Sequence, residues 1–245
     1  LGLVIIYTIF LIIFVMGFAR QSLSASLIIL SIYYLQKNRI ILSYLIIFIS
    51  ATFHTSALFF LIIYPLNLLI NIKNYNNKIY IFLFFSFIGI SLYFFLRQLD
   101  IYNALVYNYL GQGRFERIYD QPAGAPFRVL LNVIPSFLIL FFINKFKNIE
   151  TNSKKIFITL SILCLLVSCL LFFYPVFVDR YMYYFVILQV IFYSNLSFNI
   201  KNKRLKIAYE SLIISYYLLV FLVWINFADH KRWWIPYNIF DNFNL

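Results

Sequence analysis

A chain of 245 residues that is 64% hydrophobic and only 11% charged cannot cover a soluble fold with polar surface, so it belongs in a bilayer. Its net charge of +12 does not point to nucleic acid, because the basic residues sit in short stretches between apolar runs. Cys164 and Cys169 lie five apart in one apolar run, on different helix faces, so neither a disulfide nor a metal site is expected and both read as core.

The chain opens on Leu1 inside an apolar run with no signal-like segment, and further helices upstream are expected. A helix needs about 20 apolar residues to cross a hydrocarbon core of about 30 Å. The runs 1–19, 21–36, 79–96, 128–143, 156–174, 180–199 and 207–227 fit that length. Residues 40–72 do not, since one helix of that length would rise roughly 50 Å at 1.5 Å per residue. A split at Phe53-His54 turns the run into two legs and gives about nine transmembrane or half-spanning helices. Residues 97–127 form a long loop with a short interfacial helix expected near 100–110, and 174–185 form a second turn. Residues 228–245 form a tail. The fold class is therefore all-α, a polytopic integral membrane helical bundle, organised as a single domain over 1–245.

Charge tests the split. With 37–39 in the cytoplasm, alternation puts 71–78, 144–155 and 201–206 there too, and 97–127, 175–179 and 228–245 outside. The cytoplasmic set then holds ten Lys and two Arg against Glu150 and Glu210, a net of +10, and the outer set nets only +2. Without the break at His54, basic loops fall on both sides.

The outer set is also chemically distinct. It holds seven Arg (20, 97, 114, 117, 128, 180 and 232) and Lys231 alone of the lysines. Topology asks for positive charge but does not choose Arg over Lys. A planar, permanently charged fork suits phosphate and carboxylate, so an outward anion site accounts for the set, the alternative for any one arginine being a pair with one of the six outer acids. A histidine, His54, lies among Thr52, Thr55 and Ser56 at the expected apex, sunk into the outer leaflet. Backbone turns at that depth need protein or a watery cavity around them, and the neighbouring hydroxyls are expected to satisfy the freed backbone groups. No CxxC, HExxH, DxD or Gly-rich phosphate loop occurs, so neither a metal nor a nucleotide-sugar site is expected.

Four segments, "GFARQSLSASL" (17–27), "FHTSALFF" (53–60), "DRYMYYF" (179–185) and "WWIPYNIF" (233–240), resemble those of bacterial O-antigen and exopolysaccharide polymerases of the Wzy and EpsG-like type. The resemblance covers most of the chain and implies a C-type glycosyltransferase-like bundle in the bacterial inner membrane, with its active site facing the periplasm. It implies an enzyme that moves a glycan from undecaprenyl pyrophosphate to a sugar hydroxyl of the next lipid-linked repeat unit. No cofactor is implied. The partners implied are the undecaprenyl-pyrophosphate-linked glycan, membrane lipid and a chain-length regulator protein, with no nucleic acid. On this reading Arg20, Gln21 and Arg180 hold the pyrophosphate, and Asp179 pairs with or orients Arg180. His54 orients the acceptor hydroxyl or accepts its proton as general base, its unperturbed pKa of about 6.5 suiting the latter near neutral pH; the alternative is a histidine that only hydrogen-bonds the apex together. Asp179 and Asp120 are the fallback bases. Arg114, Arg117 and Arg128 are expected at the same anion site or on acidic sugars of the substrate, and Trp233, Trp234 and Tyr237 to form a platform for the glycan or an interfacial aromatic belt. An O-antigen ligase-like transferase and a lipid-linked glycan flippase are the alternatives.

Overall fold

The computed structural model describes residues 2, 19–71, 124–146, 148–172 and 174–227, and these form helices and short connections with no strand among the described residues. The expected span 79–96, nearly all of 1–19, most of the loop 97–127 and the tail 228–245 lie outside them. The described part of the protein is all-α. Ala125–Lys145, Thr151–Phe172 and Lys203–Phe227 are each long and apolar enough to cross a bilayer.

Helix α1 (Ala19–Gln36) packs against α2 (Ile40–Phe53) along a seam of small residues. Ser24, Ala25, Ser31, Ser43 and Ser50 are buried there. Small side chains let two helices approach closely where lipid offers no hydrophobic drive for association. The tight turn between the helices has an Asn signature. Asn38 takes φ +58°, Arg39 N–H donates to Tyr34 O (2.9 Å) and Asn38 N–H to Leu35 O (3.0 Å). These two bonds are the Schellman closure of a helix C-terminus, with Asn in the left-handed position usually given to Gly.

The second leg departs from a plain helix. His54 is extended (φ −154°, ψ 116°), and Thr55–Ile62 form a 3-10 helix of 8 residues before α3 (Ile63–Asn71) begins. Runs of 3-10 longer than 3–4 residues are uncommon, because their hydrogen bonds are poorer. Pro65 supplies a cause. It has no N–H to give the Leu61 carbonyl, and its ring crowds the carbonyl four residues back. Tyr44 OH, from α2, reaches Leu61 O instead (3.3 Å). The three-residue period then aligns Ala57, Phe60 and Ile63 in one fully buried column. Contacts of Tyr44 with both Leu61 and Tyr64 make α2 and the second leg a hairpin about His54. Of the hydroxyls expected to tend the apex backbone, Thr52 bonds the Ile49 carbonyl in the last turn of its own helix, whereas Ser56 bonds side chains.

Helix α4 (Ala125–Phe142) starts three residues earlier than the apolar run suggests. Gly124, in the left-handed region at φ +78°, turns the chain into it, and Pro126 occupies the first turn, where a missing N–H costs nothing. After α5 (Thr151–Ser168), the expected outer turn 174–185 proves helical: α6 (Pro175–Met182) runs through one 3-10 turn (Tyr183–Phe185) into α7 (Val186–Asn199). Helix α8 (Lys203–Phe227) fully buries only Ile213 and Tyr217, packs Tyr209 and Tyr216 beside them, and exposes apolar side chains such as Leu212, Leu218, Leu219, Leu222 and Val223. A polar chain fastens it: Tyr217 OH donates to Gln189 Oε1 (2.6 Å), Gln189 Nε2 to Asn132 Oδ1 (2.7 Å), and Asn132 Nδ2 to Met182 O (2.9 Å). Of the two cysteines read as core, Cys164 is buried, but Cys169 is exposed.

The two ends of the bundle differ. At one, Asn152 Nδ2 donates to Gln36 O (2.6 Å) and Asn38 Oδ1 (3.1 Å), and Lys37 pairs with Glu150 (3.7 Å). The 37–39 and 150–152 connections therefore share one end, as loop alternation requires. Each described lysine lies in or beside the connections at that end. The described arginines of the outer set, Arg20, Arg128 and Arg180, lie at the other, about 27 Å away along the 18 residues of α1.

Candidate functional site

The arginine-bearing end is assembled from the first turn of α1, the His54 break, the first turn of α4 and the short helix α6. Gln21, buried at the start of α1, donates Nε2–H to the Arg180 carbonyl (2.7 Å). That bond brings the Arg20-Gln21 pair against the Asp179-Arg180 pair, 159 residues away in sequence. The Arg20 side chain is exposed. Arg180 is half-buried, and its positive charge acts on the His54 imidazole.

Asp179 has a partner that the sequence reading did not assign to it. Arg128 forks onto it, Nε to Oδ1 at 2.7 Å and Nη2 to Oδ2 at 3.0 Å. The Asp179 side chain is only 11% exposed and that of Arg128 32%, so the pair is largely removed from water. Asp179, expected to pair with or orient Arg180, forms its fork with Arg128, which the sequence had suggested for the same anion site or for acidic sugars. Helix α6 begins at Pro175, and the fork ties its Asp179 to the first turn of α4. Both carboxylate oxygens are engaged, so proton uptake by Asp179 would break the fork.

His54 is half-buried at the hairpin apex. Its Nδ1 lies 2.5 Å from Ser56 Oγ, Ser56 Oγ lies 2.7 Å from Tyr184 OH, and Tyr184 OH lies 3.1 Å from Ser24 Oγ. Phe60 packs on the Tyr184 ring at 5.0 Å and on Phe185 at 5.6 Å, so the 3-10 column that begins at Ala57 sets the tyrosine in place. Tyr181 packs beside it between Phe177 (4.2 Å, tilted) and Phe59 (5.0 Å, edge to face).

Of the residues singled out from sequence, Arg20, Gln21, His54, Arg128, Asp179 and Arg180 come together at this end. Arg114, Arg117, Asp120, Trp233, Trp234 and Tyr237 lie outside the described residues. Sequence reading missed Ser24, Ser50, Ser56 and Tyr184 as a connected set. The available signal was a run of polar residues inside apolar spans, which are expensive in a membrane unless they are partnered or functional. Nothing among the described residues groups three His, Cys, Asp or Glu side chains as a metal site would require.

The segments that meet here are three of the four on which the family resemblance rests: "ARQSLS", "FHTS" and "DRYMYY". No curated protein and no solved structure shows significant similarity to the chain. The family model of the EpsG family matches it over residues 1–239. The protein thus belongs to the EpsG family, whose members are exopolysaccharide and O-antigen polymerase-like proteins of the membrane.

Proposed function

We propose that the protein is a glycosyltransferase that polymerises lipid-linked oligosaccharide repeat units at the outer face of the bacterial inner membrane. The observation that carries this reading is the convergence of two outer-set arginine segments with His54 at the bundle end opposite the lysines. The donor is a glycan on undecaprenyl pyrophosphate, and the acceptor is a sugar hydroxyl of the next lipid-linked unit. The acceptor oxygen forms a bond to the donor anomeric carbon as the bond from that carbon to the pyrophosphate oxygen breaks. The electron pair leaves with the lipid pyrophosphate, and the hydroxyl proton passes to His54. No nucleotide or metal takes part in the balance.

Arg20 and Arg180 face the charge that grows on the departing pyrophosphate, where preorganised donors lower the barrier most. Gln21 holds their two segments together. Asp179 serves as an orienting group for Arg128 in preference to a base, because both of its oxygens are already occupied. The glycan contacts fall to Arg114, Arg117, Trp233, Trp234 and Tyr237, and Arg128 adds to them only through the face its fork leaves open. A chain-length regulator acts as the protein partner.

The test is the length distribution of surface glycan in cells with and without the gene. A polymerase leaves lipid core capped with a single repeat unit when it is lost. Loss of all surface glycan would identify a flippase or ligase and refute this reading.

A further inference from the structure

Five hydrogen bonds tie His54 to the α1–α2 seam through four hydroxyl groups. Besides the three from His54 to Ser24 described above, Ser24 Oγ lies 2.8 Å from Ser50 Oγ, and Ser50 Oγ donates to the Ser24 carbonyl (2.8 Å). Ser24 and Ser50 are fully buried, Tyr184 is 1% exposed and Ser56 5%. A hydroxyl has one proton to give. The Ser24 carbonyl can only accept, so the Ser50 proton is committed to it. Ser50 must then accept from Ser24, Ser24 from Tyr184, Tyr184 from Ser56, and Ser56 from His54. Five bonds use the four hydroxyl protons and the Nδ1 proton, and only this direction makes all of them.

We propose that Ser24, Ser50, Ser56 and Tyr184 are positioning residues that hold neutral His54 as its Nδ1–H tautomer and leave the Nε2 lone pair as the proton acceptor of the reaction. This rests on the reading of His54 as the base. Left to Ser56 alone, the ring has no fixed tautomer, because that hydroxyl gives or takes a proton equally well. Direction comes from Tyr184, 128 residues further along the chain, and from a backbone carbonyl at the end of the relay. The relay also survives the reaction. Imidazolium donates from Nδ1 as the neutral tautomer does, so proton uptake at Nε2 requires no hydroxyl to turn. The environment is organised before charge develops, which is where electrostatic catalysis is effective.

The experiment uses the full chain in lipid bilayers, labelled with 15N-histidine and carrying His230→Asn so that His54 alone reports. Spectra are taken at about pH 8.5, well above the unperturbed pKa of about 6.5, where the ring is neutral. The proposal predicts a protonated Nδ1 and an unprotonated Nε2. Tyr184→Phe keeps the ring packing, frees the Ser56 proton to point at Nδ1, and shifts the population toward Nε2–H. Polymerisation then falls at least tenfold, within the range of about 10²–10⁴ that general-base catalysis supplies, at unchanged protein level in the membrane. Ser56→Ala, which deletes the Nδ1 acceptor directly, gives a mixed tautomer even if Tyr184→Phe folds poorly. Nε2–H as the main form in the parent protein, or the parent tautomer persisting in both variants, overturns the relay. A shifted tautomer with parental polymerisation keeps the relay and overturns the proton-acceptor role of His54.

Discussion

The fork between Arg128 and Asp179 makes a quantitative prediction. Arg128→Met strands a carboxylate that is 11% exposed. Breaking a fully buried pair by removing one partner costs about 3–5 kcal/mol, and the water that reaches the Arg128 side places this variant near the lower limit. Asp179→Asn costs less, about 1–2 kcal/mol, because Asn keeps one acceptor oxygen and the stranded guanidinium is 32% exposed. Hydrogen bonds inside bilayer proteins couple by about 0.6 kcal/mol on average and about 1.7 at most. A charge-assisted bidentate pair belongs at the upper end, so the double variant should be less damaging than the sum of the singles by about 1–2 kcal/mol. Unfolding of the purified protein in mixed micelles, followed by denaturant titration of the four proteins of the cycle, measures this. Additivity of the two substitutions to within about 0.3 kcal/mol would show that the fork does not hold α6 to α4, and the orientation assigned to Asp179 would fall with it.

Other substitutions separate roles at the same end. Arg180→Lys and Arg20→Lys should lower polymerisation almost as far as the Ala variants, because the fork is lost while the charge stays; full activity in both Lys proteins would reduce the arginines to interfacial anchors. Tyr217→Phe removes the first donor of the chain that fastens α8 and should destabilise the protein by about 1 kcal/mol without shortening the glycan made per folded molecule. A single cysteine replacing Gln112 or Asn242 in a Cys164→Ala, Cys169→Ala background should label from outside, and one replacing Asn74 or Asn202 should not. The reverse pattern contradicts the assignment of the site to the outer face. Trp233→Ala or Trp234→Ala should shorten the glycan at constant protein level, whereas equal loss of both would mark a membrane-interface belt.

What was legible from sequence followed from rules that act locally or along the whole chain. Among the described residues, apolar run length located helices at 21–36, 128–143, 156–174 and 207–227, and the parity of basic loops required a break near His54, where α2 ends. The 3-10 leg was not legible from hydrophobic periodicity, although Pro65 was visible as the residue that denies Leu61 its helical partner. The helical character of 175–182 was hidden by its mixture of Pro, Asp and Arg, which reads as a turn until α4 supplies the partner for Asp179. That pairing joins positions 51 apart, and the Ser56–Tyr184 contact joins positions 128 apart. Single-sequence reasoning has no means of choosing among the arginines or tyrosines for such contacts. The serines of the seam were readable as small residues suited to close helix packing. Their second use, as a directed relay, depends on a hairpin and a tyrosine that only the fold brings together.

The central claim is that His54 takes a proton while the arginine-bearing end holds a lipid pyrophosphate. His54→Gln tests it most directly, because Gln keeps a hydrogen-bonding side chain of similar reach but takes up no proton at neutral pH. The measurement is the repeat-unit ladder of the surface glycan, with the amount of protein in the membrane determined in the same cells. If His54 is the base, protein is normal and the ladder collapses to the single-unit band, a loss of about 10²–10⁴ in polymerisation rate. A full-length ladder from His54→Gln at normal protein level would contradict the account.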